Sequence, residues 1–166
     1  VAAEPVFIDN LDEVTPDIWR GAAPRVQDLR LLKEKGVATI VDLRLGGTKE
    51  EAKAASKLGL RYVHIPLGYL GAPRRKVLQF LRVVCNESSG RVFIHCRRGE
   101  DRTGMLVGIY RELVQGWSFS KTYAEMRQHN FKPWLVLMKR KVEVAPQNLE
   151  TDRRELAVSS QIEPPM

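Results

Sequence analysis

Residues 91 to 110 constrain the fold more than any other stretch of the chain. Arg91-Val92-Phe93-Ile94 is a short apolar run. Met105-Leu106-Val107-Gly108-Ile109-Tyr110 reads as a helix, apolar on most sides. Between them stands His95-Cys96-Arg97-Arg98-Gly99-Glu100-Asp101-Arg102-Thr103-Gly104. A strand that passes through a tight loop straight into a helix of this kind needs apolar cover on both elements. The order puts Cys96 at the strand's end and the N–H groups of residues 97 to 102 in a turn at a helix N-terminus. Unpaired N–H groups and the positive end of the helix dipole converge in such a turn, which makes it an anion cradle.

The flanking sequence supplies the cover. Residues 1 to 12 read as an extended lead-in, and Val14 to Arg20 as one short strand ended by Gly21-Ala22-Ala23-Pro24. Pro24 suits the first turn of a helix carrying Val26, Leu29 and Leu32, with Gly36 as its stop. Val37 to Leu43 is near-continuously apolar, as in a strand covered on both faces. Thr48 to Glu51 matches a capping box and opens a helix to about Leu58. Arg61 to Ile65 is the next strand, and a loop through residues 67 to 72 follows. Val77, Phe80, Leu81 and Val84 then form a helical stripe. Gly104 and Gly108 share one helix face, which favours close approach to the sheet. Further helices are expected at about Ser118 to His129 and Pro133 to Val142. From Ala145 to Met166 the composition suggests a poorly ordered tail, with one helical turn near residues 153 to 156.

Strands alternate with helices as far as residue 115, and helices alone follow. The pattern predicts an α/β domain over residues 1 to 144. It should be a small, twisted, mostly parallel sheet of about four to five strands flanked by helices. Ligands bind beyond the carboxyl ends of strands in such sheets, where the Cys96 loop lies. The 166 residues suffice for one domain with a sizeable core. No apolar run approaches the roughly 18–20 residues of a membrane span. A chain beginning with Val1 reads as processed or trimmed, which leaves a bacterial cytoplasm or, after loss of a signal peptide, a periplasm.

A net charge of +7 suits anionic partners. Two cysteines without a CxxC, and three histidines outside HExxH spacing, predict neither structural zinc nor any cofactor. A Cys85–Cys96 disulfide would silence the Cys96 thiol, and Cys85, beside Val84, reads as inert core. Few aromatics interleave with the basic residues, so specific nucleic-acid binding is not expected. The basic surface allows peripheral membrane contact, and the chain reads as a monomer.

The loop's chemistry is that of phosphoester cleavage. A thiol of pKa about 8.5 falls to roughly 3.5–7.5 at a helix N-terminus beside arginines, and the thiolate is the nucleophile. Arg102 presents a planar fork matched to two phosphate oxygens. Gly99 permits a positive φ and close approach of the backbone to an anion. Thr103 can donate its hydroxyl to the sulfur. The N–H groups of Arg97 to Arg102 would hold the equatorial oxygens of the transferring phosphoryl group.

The pattern His-Cys-x-x-Gly-x-x-Arg-Thr-Gly resembles the signature of the protein tyrosine phosphatase superfamily, in its compact, bacterial-type dual-specificity branch. His95, Cys96, Gly99, Arg102, Thr103 and Gly104 match it. Ile18 to Pro24, Val41-Asp42-Leu43-Arg44, Gly116-Trp117-Ser118 and Ala124-Glu125-Met126 extend the resemblance over roughly residues 14 to 142. The resemblance implies that Cys96 forms a phosphocysteine, that Arg102 binds the phosphate, and that His95 orients the loop and tunes the thiol. The family's general acid usually sits on the loop after the preceding strand. Here that loop, residues 66 to 73, contains no Asp or Glu. Asp101 is the substitute, and the loop resembles that of myotubularin-type phosphatases, which place an aspartate there. Asp101 would protonate the leaving group, or else pair with an arginine to fix the loop. Asp42 is a weaker candidate that more naturally braces the loop.

Arg74-Arg75-Lys76, with Arg97 and Arg98, would make the mouth basic. The family resemblance implies a phosphorylated protein as substrate, and the extra cations favour the alternative, a phosphoinositide or inositol polyphosphate. A catalytically dead phosphate-binding module and a Cys85/Cys96 redox pair are the readings from other classes.

Overall fold

The computed structural model describes Pro5, residues 7–148, Thr151 and Arg154. Five strands, β1 (Asp12–Thr15), β2 (Ile18–Gly21), β3 (Val37–Asp42), β4 (Arg61–His64) and β5 (Arg91–His95), form one sheet in the order β1-β2-β5-β3-β4. All neighbours are parallel except β1 and β2. Six helices surround the sheet: α1 (Val26–Glu34), α2 (Lys49–Lys57), α3 (Arg74–Val84), α4 (Asp101–Leu113), α5 (Phe119–Gln128) and α6 (Val136–Val144).

Strand alternation splits the core in two. Val41, Val92 and Ile94 point to one face and meet Phe80, Met105, Ile109, Phe131 and Met138. Ile40 and Phe93 point to the other, against Ile8, Leu29, Leu32, Ala55 and Leu60. Burying one such side chain fully stabilises the fold by about 1.5–3 kcal/mol. β5 lies between β2 and β3 with Val92 to His95 all buried, which explains its unbroken apolar sequence. Its carboxyl end delivers Cys96 to the loop that opens α4.

Several expectations are corrected. The stretch from Val14 to Arg20 is two antiparallel strands, because the chain reverses at Pro16-Asp17, where the Asp17 N–H turns back to the Thr15 hydroxyl (3.2 Å). The capping box at Thr48 is not made: Thr48 already has helical dihedrals and its side chain caps nothing. One half of such a box opens α1 instead, where Asp28 accepts the Arg25 N–H (2.8 Å) and two N–H groups of its guanidinium (2.9 and 3.0 Å). α6 starts at Val136 rather than Pro133. Gly108 faces Thr122, Met126 and Val142 of α5 and α6, not the sheet. Ala145–Asn148 form a 3-10 turn with Ala145 buried against the core. Apart from Arg154, the helical turn expected near residues 153 to 156 lies outside the described residues.

Cys85 is not core. It caps the end of α3, exposed, and is a free thiol, as is the buried Cys96. Cys85 precedes the start of β5 and Cys96 follows its end, so the strand's length separates them, roughly 16 Å at 3.3 Å per residue. Neither a disulfide nor a thiol pair can form between them.

Candidate active site

The loop at residues 96 to 101 is anchored from outside. Its carbonyl oxygens accept in turn from the Ala23 N–H (Arg97 O, 3.0 Å), the Asn10 Nδ2 (Arg98 O, 2.9 Å) and the Arg20 Nη2 (Gly99 O, 3.0 Å). In a trans peptide the C=O and the following N–H point opposite ways. The N–H groups of Arg98, Gly99 and Glu100 are thereby turned away from these donors. Gly99 sits at φ 71°, and a Cβ there would lie 2.3 Å from the Gly21 carbonyl carbon, so the residue is required on two counts. Arg20 is 1% exposed, and burial holds its pKa down to about 10 against the attraction of Glu125 and Cys96.

The cleft beside the loop, about 140 Å³, is lined by Tyr69, Cys96, Arg97, Arg98, Glu100, Asp101 and Arg102. Burial alone would raise the Cys96 pKa. Donation from the Thr103 hydroxyl and N–H, the Arg102 charge and the Gly99 N–H outweigh it, and the thiol is held below its ordinary range. The Thr103 hydroxyl is fully buried and has no geometric hydrogen-bond partner among the described residues, and its influence on the neighbouring Cys96 thiol is to favour the thiolate. Arg102 is oriented by the Leu67 carbonyl (Nη1, 3.2 Å) and the Tyr69 hydroxyl (Nη2, 3.2 Å), and it lies 4.7 Å from the Tyr69 ring centroid. Its Nε is buried and has no partner among the described residues.

Beneath the loop, His95 is fully buried. Its Nε2 lies 2.6 Å from Glu51 Oε1 and its Nδ1 2.9 Å from the Cys96 carbonyl oxygen. Asp42 does not reach the cleft or the Cys96 loop. It accepts from Arg44 (2.7 Å) and the Tyr62 hydroxyl (2.5 Å) and lies 3.9 Å from His95 Nδ1. Its pKa is lowered: burial opposes ionisation, and Arg44, His95 and Tyr62 overcome it. Asp42, Glu51 and His95 cluster tightly enough to hold a metal ion, but the Arg44 guanidinium already bonds both carboxylates and offsets one of their two charges. Asp42 braces this network behind the loop rather than the loop itself.

Asp101 lines the cleft, and its Oδ1 accepts the Lys132 N–H (2.9 Å). Glu100 is paired with the Lys132 side chain. Arg97 and Arg98 are exposed at the mouth. Arg74 is half-buried and Arg75 exposed in the first turn of α3, while the Lys76 ammonium bonds the Pro66 carbonyl. The loop through residues 66 to 73, which lacks an acid, instead contributes Tyr69 and the Leu67 carbonyl to the grip on Arg102. Sequence reasoning missed Tyr69, Arg20, Asn10, Glu51 and Lys132. Arg20 carried one signal, a charged residue inside an apolar strand. The others meet the loop only through contacts across 31 or more residues of chain.

The fold has counterparts among known proteins. The chain superposes on the core catalytic domain of the PP-IP phosphatase SIW14 from Saccharomyces cerevisiae with a TM-score of 0.78 and 24% identity, covering 93% of this chain and 95% of that one. It superposes on TpbA from Pseudomonas aeruginosa with a TM-score of 0.71 and 24% identity, covering 94% and 99%. By sequence it is 32% identical over 124 residues to the dual specificity protein phosphatase TpbA of a Pseudomonas aeruginosa strain, covering 74% of this chain and 55% of that protein. It is 26% identical over 130 residues to the inositol diphosphatase SIW14 of Saccharomyces cerevisiae, covering 74% and 46%. It therefore spans about half the length of these two relatives. Residues 7–143 match the family model described as DSP-PTPase phosphatase fused to NAD+ kinase, and the chain belongs to that phosphatase family.

Proposed function

We propose that the chain is a cysteine-dependent phosphomonoester hydrolase, a protein tyrosine/dual-specificity phosphatase. The observation that carries this reading is the pairing, in one cleft, of a buried thiol whose pKa is lowered with a buried Arg102 Nε that has no partner among the described residues. The Cys96 thiolate attacks phosphorus, the bond from phosphorus to the substrate oxygen breaks, and Asp101 delivers a proton to the departing oxygen. Water then attacks the phosphocysteine. Asp101 takes a proton from it, the S–P bond breaks, and the Thr103 hydroxyl receives the returning thiolate. Arg102 and the N–H groups of the loop hold the three non-bridging oxygens throughout. His95, fixed between Glu51 and the Cys96 carbonyl, sets the pitch of the loop.

The substrate is a phosphorylated protein side chain, with phosphotyrosine first. An inositol polyphosphate or phosphoinositide is the second reading. It is favoured by the exposed Arg97 and Arg98 and by Lys76, Arg140 and Lys141 in the neighbouring groove, and by the inositol diphosphatases among the relatives. The chain acts as a monomer, as one domain over residues 1 to 144, without specific nucleic-acid contacts.

The test is hydrolysis of p-nitrophenyl phosphate by wild type and Cys96→Ser, with vanadate as competitor. Wild-type turnover, inhibited by vanadate and absent in the variant, is expected. Equal rates would reject the mechanism. Comparing a phosphotyrosyl peptide with inositol polyphosphates separates the two substrate readings.

A further inference from the structure

Among the described residues, nine large apolar side chains are exposed, and six of them gather on the side of the sheet where the cleft opens: Leu45, Tyr69, Leu70, Trp134, Val136 and Leu137. They come from three connections. Leu45 follows β3, Tyr69 and Leu70 follow β4, and the last three lie where α6 begins. The third connection is tied to the cleft by Lys132, which bonds Glu100 and Asp101. Leu45, Leu70 and Leu137 also line one groove, about 650 Å³, beside the cleft. Leu70 is 83% exposed and Trp134 70%, so they stand out from the surface rather than form the wall of a closed pocket. Apolar side chains gathered this way mark an interaction surface.

The charges around them have one sign to offer. Arg75, Arg97 and Arg98 are exposed, and Lys141 lines the groove. The acids nearby are engaged: Glu100 and Asp101 by Lys132, and Glu143 by Arg140. Protruding leucines and a tryptophan set among arginines and lysines match the boundary of a bilayer. There, apolar side chains enter beneath the headgroups, tryptophan sits at their level and cations meet lipid phosphates. The net charge of +7 has the same sense.

We propose that the rim of the cleft is a docking face for an anionic lipid membrane, inserting Leu70, Trp134 and Leu137 and opening the phosphate cleft in the plane of the headgroups. The inference extends the phosphatase reading by stating where substrate is met, but docking itself requires no turnover. A peptide partner suits the geometry less well, because the most exposed side chains protrude from separate loops.

The experiment is co-sedimentation of the full chain with phosphatidylcholine vesicles, with and without phosphatidylserine, at about 0.15 M salt. Binding that depends on phosphatidylserine, with a blue shift of tryptophan emission lost in Trp134→Phe, is expected. The double substitution Leu70→Asp, Trp134→Asp should lower the bound fraction about tenfold and leave p-nitrophenyl phosphate turnover unchanged, since neither residue lines the cleft. No binding to anionic vesicles overturns the proposal. So does undiminished binding by the double variant, which would reduce the contact to diffuse charge attraction. Loss of turnover on a soluble phosphopeptide, with vesicle binding intact, would reassign the face to a protein. Cys96→Ser should bind vesicles like the wild type, so that a failure of catalysis and a failure of docking are read separately.

Discussion

Cys96 must be ionised against the cost of its own burial, and the donors that achieve this are few enough to remove one at a time. The rate of alkylation by iodoacetate, followed against pH, should show a midpoint below that of an ordinary thiol. Thr103→Val should move that midpoint upward, because the sulfur loses a donor to its charged form. A thiol depressed in the folded state stabilises the fold above its unfolded pKa, and that contribution is lost as pH falls through the folded value. Gly99→Ala should lower kcat/KM by about a thousandfold, since its Cβ would displace the anion-binding backbone. Asp101→Asn should remove one limb of the pH–rate profile, and survival of both limbs would exclude Asp101 as the acid. Glu112 shows the opposite behaviour. It is 5% exposed, without a partner for either oxygen among the described residues, and burial together with Glu143 pushes its pKa up to about 7. The folded state holds that proton longer than the unfolded chain, so stability falls as pH rises through the window that ends near 7. Glu112→Gln should raise stability by about 1–2 kcal/mol above that window and by less at acid pH, as read from denaturant midpoints.

At the scale of elements, α4 does two jobs. Its first turn is the floor of the cleft, and its far end is bound by Arg111 to Glu125 of α5 (2.6 and 2.9 Å) and to the Val14 carbonyl of β1 (3.0 Å). Between them Gly108 lets α5 and α6 close down, with Thr122, Met126 and Val142 at 3.1–3.2 Å from where a Cβ would stand. Gly108→Val should destabilise the protein by about 2–3 kcal/mol in urea melts, through overpacking and the β-branch. The strands and helices could be read from sequence because a sheet covered on both faces leaves apolar runs, and helices packed on it leave stripes. The cysteine loop was legible as well, since its residues are contiguous. The hairpin at Pro16-Asp17 was hidden because each arm is only four residues long and the first, Asp12-Glu13-Val14-Thr15, holds a single apolar residue. The half box on α1 was hidden because its first residue is Arg25, not a usual cap. Glu51 and Lys132 act across 44 and 32 residues of chain, and no local pattern encodes such a contact.

For the whole molecule, charge and topology agree: the anion cradle lies beyond the carboxyl ends of the parallel strands, on a chain of net charge +7. Raising salt from about 0.05 to 0.5 M should therefore lower kcat/KM for a multiply phosphorylated substrate about tenfold, and change that for p-nitrophenyl phosphate far less. The contact between Gly21 and Gly99 has a consequence for anyone wishing to vary this chain. Two positions far apart in sequence share a space that cannot take one further carbon atom. A library randomising residues 97 to 101 while holding residues 20 to 23 constant would sample mostly collisions. Productive variation has to be sought in matched pairs of segments, or confined to the outer ring of Leu45, Leu70 and Trp134, where no neighbour votes on the choice.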